Sequence, residues 1–376
     1  MSERVALTPE QEELRESVRG LLTDRFPEAE LRARLDTADG YDPALWKRLT
    51  SELGATALAV PEAYGGAGFG WREVAVVAEE AGRALYGGPL LSSSLAIAAL
   101  LARGDEAACA RHLPGLAAGE PGTLAVAGED GSWDPRATTV TAELAGGGTG
   151  TGREGWRLTG VRTYVTDGHV AGLVLVPARG PDGVGLFAVS GEAVTREPLR
   201  PLDPTRRLAR IELRDTPASL VGPPDAGSAA IRAALRVGIV LLAAEQLGGA
   251  QRLLEMSTSY ALERTQFGRP IGQFQAVAHR CADMLLRVEA ARSVAHFASW
   301  AAASGSPDLP RLAHVAKDVC SRAYTEVAAA TIQLHGGIGV TWEHPAHLYY
   351  RRAKSSELLF GSAAEHRARL ADLLEL

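Results

Sequence analysis

The chain has 376 residues, 46% of them hydrophobic and 22% charged, with a net charge of −6. That composition gives a folded chain with room for two or three packed units and excludes a disordered one. The acidic balance argues against nucleic acid or an anionic membrane surface as partner, since either selects a basic face.

Cys109, Cys281 and Cys320 have no CxxC spacing, which suggests neither a disulfide framework nor a zinc site. The N-terminus shows no basic-then-apolar leader pattern. No uninterrupted apolar run reaches the ~20 residues of a membrane span, the 238–244 run being too short. The expected location is therefore cytoplasmic, with no membrane partner.

Residues 1–120 read as a helical domain. Thr8-Pro9-Glu10 is an N-cap followed by proline in the first turn, and Leu14, Val18, Leu21 and Leu22 follow at helical spacing. A glycine-rich loop at 61–68 interrupts the helices, and the 3.6-residue pattern resumes at 73–85 and 92–101. From 121 to 222 the pattern changes to short β-rich runs, at 138–142, 156–160, 173–176 and 185–189. The segment 146–152 reads as a loose hairpin loop. From 228 to 376 the chain is helical again, broken near 268–272, 304–310 and 336–339. The expected fold class is α+β, with a helical block, a small β-domain and a second helical block in that order.

Two stretches carry the most chemistry. In Arg264-Thr265-Gln266-Phe267-Gly268-Arg269-Pro270-Ile271-Gly272, Arg264 can make paired hydrogen bonds to a phosphate and Phe267 offers an aromatic face. Gly268 there permits tight backbone passage. In Gln333-Leu334-His335-Gly336-Gly337, Gly336 and Gly337 allow a ligand close to the backbone, although a Gly-Gly pair also simply ends helices. His335 reads as a packing or hydrogen-bonded histidine. The run Arg351-Arg352-Ala353-Lys354 reads as a solvated helix face or an ion-pair surface.

These stretches, with Thr341-Trp342-Glu343-His344-Pro345 and Phe360-Gly361-Ser362, resemble the acyl-CoA dehydrogenase family over essentially the whole chain. The resemblance implies that family's fold: an N-terminal helical domain, a small β-domain and a C-terminal four-helix bundle. It also implies FAD as cofactor and α,β-dehydrogenation of an acyl thioester, of CoA or of a carrier protein, with an electron-transfer acceptor downstream. Arg264, Gln266 and Phe267 would reach a flavin held largely by a neighbouring subunit. Gln333, Gly336 and Gly337 would approach its adenine end. Tyr164 and Thr166 would lie against the isoalloxazine. The family's hydroxyl-bearing loop is degraded here to Ala125-Val126-Ala127-Gly128-Glu129-Asp130-Gly131-Ser132, with Ala127 in place of threonine.

The family's chemistry needs a carboxylate to take the acidified α-proton while a β-hydride leaves for the flavin. The usual glutamate position is Phe360, and the alternative position after the β-domain is Gly238. Glu245 and Glu357 are weak candidates for the base, and Glu343 matches a position that is commonly acidic and structural. Three readings stay open. The chain is an active dehydrogenase with its base elsewhere, a base-less subunit that needs a glutamate-bearing partner, or a non-redox binding protein on the same fold. The resemblance implies homodimers or homotetramers, or a heterotetramer with a related subunit.

Overall fold

A computed structural model describes residues 6–145 and 153–375. The expected hairpin loop at 146–152 lies outside the described residues. Six helices come first: α1 (Pro9–Arg25), α2 (Glu28–Arg34), α3 (Pro43–Ser51), α4 (Trp71–Arg83), α5 (Leu90–Arg103) and α6 (Glu106–Ala117). Thr8 caps α1 in a reciprocal capping box with Gln11, so the N-terminal signal read from Thr8-Pro9 has its physical basis in satisfied first-turn amides.

Seven strands follow: β1 (Gly122–Leu124), β2 (Thr141–Leu144), β3 (Trp156–Thr166), β4 (Leu173–Gly180), β5 (Gly183–Ser190), β6 (Thr195–Pro198) and β7 (Leu208–Val221). The pairings β4–β2–β3–β7–β5 return from β5 to β4, so these five strands close on themselves, with β1 and β6 added at β4 and β7. Trp156, Leu158, Phe187 and Ile211 fill the interior. Closure leaves few free edges, which suits a small sheet flanked by helices. The four β-runs read from the sequence fall in or beside β2–β5. The 14-residue β7, the longest strand, was not among them.

The C-terminal block contains α7 (Gly227–Glu263), a short hairpin of β8 (Thr265–Gln266) and β9 (Arg269–Pro270), then α8 (Gln275–Ala303), α9 (Leu309–His335), α10 (Ala346–Leu358) and α11 (Ala363–Leu373). By length and composition α7 could cross a bilayer, but 72% of its most apolar window is buried inside the fold. One hydrophobic core joins both helical blocks. Two glycines let α4 and α7 touch. A Cβ on Gly82 would sit 1.9 Å from the Glu245 carbonyl oxygen, and one on Gly248 would sit 1.8 Å from that of Glu79. That close crossing brings Glu245 inward, towards the junction of the three domains.

Candidate functional site

Phe360 lies between α10 and α11 with φ +65° and only 1% of its surface exposed. Its ring meets Trp133 edge-to-face, with centroids 5.1 Å apart. A Cβ added at Gly238 would lie 3.4 Å from Phe360 Cε2 and 2.5 Å from Leu95 Cδ2. The two positions that the resemblance offers for a base therefore face each other in space. One holds an aromatic ring, and the other cannot take any side chain unless Leu95 moves.

The backbone around Phe360 is held by three polar groups, two buried and one half-buried. His366 Nε2 lies 3.0 Å from the Phe360 carbonyl, which can only accept, so Nε2 carries the proton. The neutral His366 ring then accepts at Nδ1 from His314 Nδ1–H, 2.8 Å away. Burial pushes both imidazoles down to about 4, which keeps them neutral. Lys317 Nζ donates to the carbonyls of Ser356 (2.5 Å) and Glu357 (3.1 Å), capping the end of α10. Burial pushes this ammonium down to about 7, against the opposing pull of Glu357.

The carboxylates considered as bases are engaged elsewhere. Glu245 Oε1 accepts from Arg352 Nη1 at 2.8 Å and from Arg206. Arg352 also donates to Asp203 Oδ2 (2.7 Å) and to the Thr205 carbonyl (2.8 Å). Burial opposes the Arg352 cation, but Asp203 and Glu245 outweigh it and raise its pKa. Arg352 is only 2% exposed. Its part of the basic run is thus an internal ion-pair centre and not the solvated face expected from the sequence. Glu357 Oε2 pairs with Lys354 Nζ at 2.5 Å, and Glu343 is exposed.

A cavity of about 30 Å³ adjoins this network, bounded by Tyr86, Thr166, Asp167, Arg206, Glu245 and Arg352. Ligand sites for cofactor-sized molecules run to several hundred Å³, so this cavity by itself is far smaller than such a site. Asp167, which the sequence reading did not single out, is 3% exposed with φ +53° and accepts from Ser92 Oγ at 2.7 Å. Burial raises its carboxyl. The signal for it was available: an aspartate directly after the Thr166 position, where the chain leaves β3.

On the β-domain side Thr166 is buried, and its carbonyl accepts from Thr123 Oγ1 at 2.8 Å. Tyr164 is 44% exposed with φ +51°. The loop at 125–132 is closed on itself. Gly128 N–H donates to the Ser132 carbonyl, Gly131 N–H to the Gly128 carbonyl, and Ser132 N–H to Asp130 Oδ1. Ala127 is buried. Three amides of this loop are thus paired within it, and the hydroxyl that the family carries at position 127 is absent.

The other half of the expected site is open. Phe267 is 92% exposed at φ +54°, presented by the β8–β9 turn. Arg264 is exposed, and no carboxylate pairs with its side chain among the described residues. Gln266 turns its amide onto the Thr265 carbonyl at 2.9 Å. Gln333, Gly336 and Gly337 are exposed, with φ +65° at Gly336 and open space above both glycines. Tyr260, one turn before Arg264 on α7, stacks on His335 with ring centroids 4.3 Å apart, which joins the two motifs into one face. His335 is buried, and its Nδ1 lies 2.8 Å from the Thr331 carbonyl. An unpaired guanidinium, an open aromatic ring and accessible glycine backbone fit an anionic, planar cofactor.

The family model described as "Acyl-CoA dehydrogenase, N-terminal domain" matches residues 8–120, and "Acyl-CoA dehydrogenase, C-terminal domain" matches residues 225–374. The chain is 37% identical over 367 residues to acyl-CoA dehydrogenase IpdE2 of Mycobacterium tuberculosis, covering 97% of this chain and 98% of that protein. Among solved structures, a Tcur3481–Tcur3483 steroid ACAD variant superposes with a TM-score of 0.86 at 35% identity, covering 97% of this chain and 98% of the other. The ChsE4–ChsE5 complex from Mycobacterium tuberculosis gives a TM-score of 0.87 at 29% identity, covering 99% and 98%.

Proposed function

Because the chain belongs to the acyl-CoA dehydrogenase family of flavoprotein oxidoreductases, we propose that it is the base-less subunit of a heteromeric acyl-CoA dehydrogenase. The carrying observation is that Phe360, at the position the resemblance gives to the base, is a buried ring packed on Trp133 and Gly238. A phenyl ring takes no proton, and the nearby Glu245 is committed to two guanidiniums. In this reading a related chain supplies the carboxylate and most of the flavin pocket. FAD held there would supply acceptance of the β-hydride of an acyl thioester, of CoA or of a carrier protein, with an electron-transfer acceptor downstream.

This chain's part is to complete the cofactor site from its open face. Arg264 would pair with the pyrophosphate, Phe267 would cover an apolar edge, and Gln333 with Gly336 and Gly337 would let the adenine end approach the backbone. Tyr164 and Thr166 keep the family's residue pattern, but Thr166 lines the cavity of about 30 Å³ and Tyr164 is exposed, so neither is assigned a flavin in this subunit. Support comes also from the two structural relatives above, both of which carry paired-chain names.

The test is a visible spectrum of the chain purified alone and after co-expression with a glutamate-bearing relative, followed anaerobically through addition of acyl thioesters. The expected result is thioester-dependent bleaching only in the co-expressed sample. A flavin band bleached by a thioester in the chain alone would overturn the proposal.

A further inference from the structure

We propose that the open cavity between α1, α2, α4, α7 and α10 binds an amphipathic monocarboxylate, with Arg252 holding the carboxylate. The cavity has a volume of about 430 Å³, within the range of small-molecule sites. It shares no lining residue with the cavity beside Glu245 or with the Arg264 face. The inference is independent of the heteromeric reading above.

The charges around it leave one cation over. Five charged side chains line the cavity: Arg19, Glu28, Glu80, Arg83 and Arg252. Arg19 grips Glu80 with two hydrogen bonds, Nε to Oε2 at 2.9 Å and Nη2 to Oε1 at 2.7 Å. Glu28 accepts from Arg32 Nε at 2.8 Å. Arg83 donates to both oxygens of Glu255, from Nη1 to Oε1 at 2.8 Å and from Nη2 to Oε2. Among the described residues, the carboxylate nearest Arg252 is this same Glu255, at 3.9 Å. That distance is beyond a hydrogen bond, and both Glu255 oxygens are already taken. One uncommitted guanidinium matches one negative charge, and its planar fork matches a carboxylate.

The floor is apolar, which asks for a ligand with a hydrocarbon body. Leu22 and Phe26 come from α1 and its end, Leu31 from α2 and Met256 from α7. Arg252 and Met256 are one turn apart on α7, so a cation stands beside an apolar surface on one helix face. The walls are tied to each other. Arg19–Glu80 joins α1 to α4, and Arg83–Glu255 joins α4 to α7. Tyr349 Oη donates to the Arg83 carbonyl at 2.6 Å, which joins α10 to α4. Bonds between elements hold the space open, so a ligand meets a preformed site and orders little on entry.

The experiment titrates hexanoate, octanoate and decanoate, each below its micelle concentration, into the full chain by calorimetry, with decanol as uncharged control. Affinity should rise by up to about fourfold per added methylene. Decanol should bind at least about tenfold more weakly than decanoate, as should decanoate to Arg252→Ala. Met256→Glu sets a competing carboxylate one turn from Arg252 and should weaken decanoate to a similar degree. Neither position is fully buried, so both variants should keep the wild-type unfolding curve. Decanol bound as tightly as decanoate, or decanoate bound equally by wild type and both variants, overturns the proposal. So does an absence of carboxylate binding in the wild type. Decanoate binding lost in Arg264→Ala and kept in Arg252→Ala would move the ligand to the other face and also overturn it.

Discussion

The cleft between the three domains and the face around Arg264 treat the same kinds of group in opposite ways. In the cleft, Arg206 and Arg352 share Glu245, Arg352 also holds Asp203, and Phe360 is buried against Trp133. On the face, Arg264 has no carboxylate partner among the described residues, and Phe267 and Gly336 are open to solvent. A guanidinium locked to a carboxylate inside a protein stabilises a structure, and one left open at a surface can bind an anion. The contrast shows that a family's residue pattern does not by itself say which chain holds the ligand.

The sharpest way to break this contrast is to mutate the cleft. Arg352→Ala leaves Glu245 and Asp203 without their shared cation, and removing one member of a buried pair costs about 3–5 kcal/mol. Denaturant or thermal unfolding should show a loss of that order. Phe360→Ala should cost about as much through the cavity it leaves against Trp133 and Leu95. A loss below about 1 kcal/mol in either variant would mean that the cleft is looser than its packing indicates.

On the open face the effect should be smaller and of a different kind. Arg264→Ala removes charge-assisted hydrogen bonds to an anionic ligand, about 1.5–3 kcal/mol of binding. It should leave unfolding within about 0.5 kcal/mol of wild type, as surface substitutions do. Flavin content of the purified complex should fall, while the unfolding curve of the chain alone stays in place. Unfolding that shifts as far as in Arg352→Ala would abolish the distinction between the two regions.

Much of this was legible in the sequence, for reasons that can be located. The order of helical block, sheet and helical block follows from a change of period, and Thr8 or Ser362 announce their helices by side-chain chemistry. The exposed motif at 264–272 is local, so its residues stay neighbours once folded. Facts about contacts between distant segments were not legible. Phe360 and Gly238 are 122 positions apart and meet only because α7 passes beneath the α10–α11 junction. Arg352 looked solvated within its basic run, since its partners Asp203 and Glu245 lie more than 100 residues away. Asp167 drew no reading from the sequence, and only the fold places it under Ser92.

The pH dependence of stability gives the smallest test, and it probes the junction that holds Phe360. Lys317 is fully buried and titrates near 7 in the folded chain, against 10.5 for an exposed lysine. Between those values the unfolded chain holds a proton that the folded chain has released, so stability rises with pH across this window. A single group can contribute a slope of at most about 1.4 kcal/mol per pH unit. Tyr41 and Tyr349, which burial pushes up to about 12, act in the opposite sense above pH ~10, where tyrosines of the unfolded chain ionise first. Cys109, Cys281 and Cys320, which burial also raises, act in that sense from about pH 8.5, where cysteines of the unfolded chain ionise, so the clean interval is about pH 7 to 8. Lys317→Met should flatten the rise measured there by chemical unfolding. Equal slopes for the variant and the wild type would mean that Lys317 keeps its proton in the fold, and that the α10 carbonyls are capped by a cation throughout.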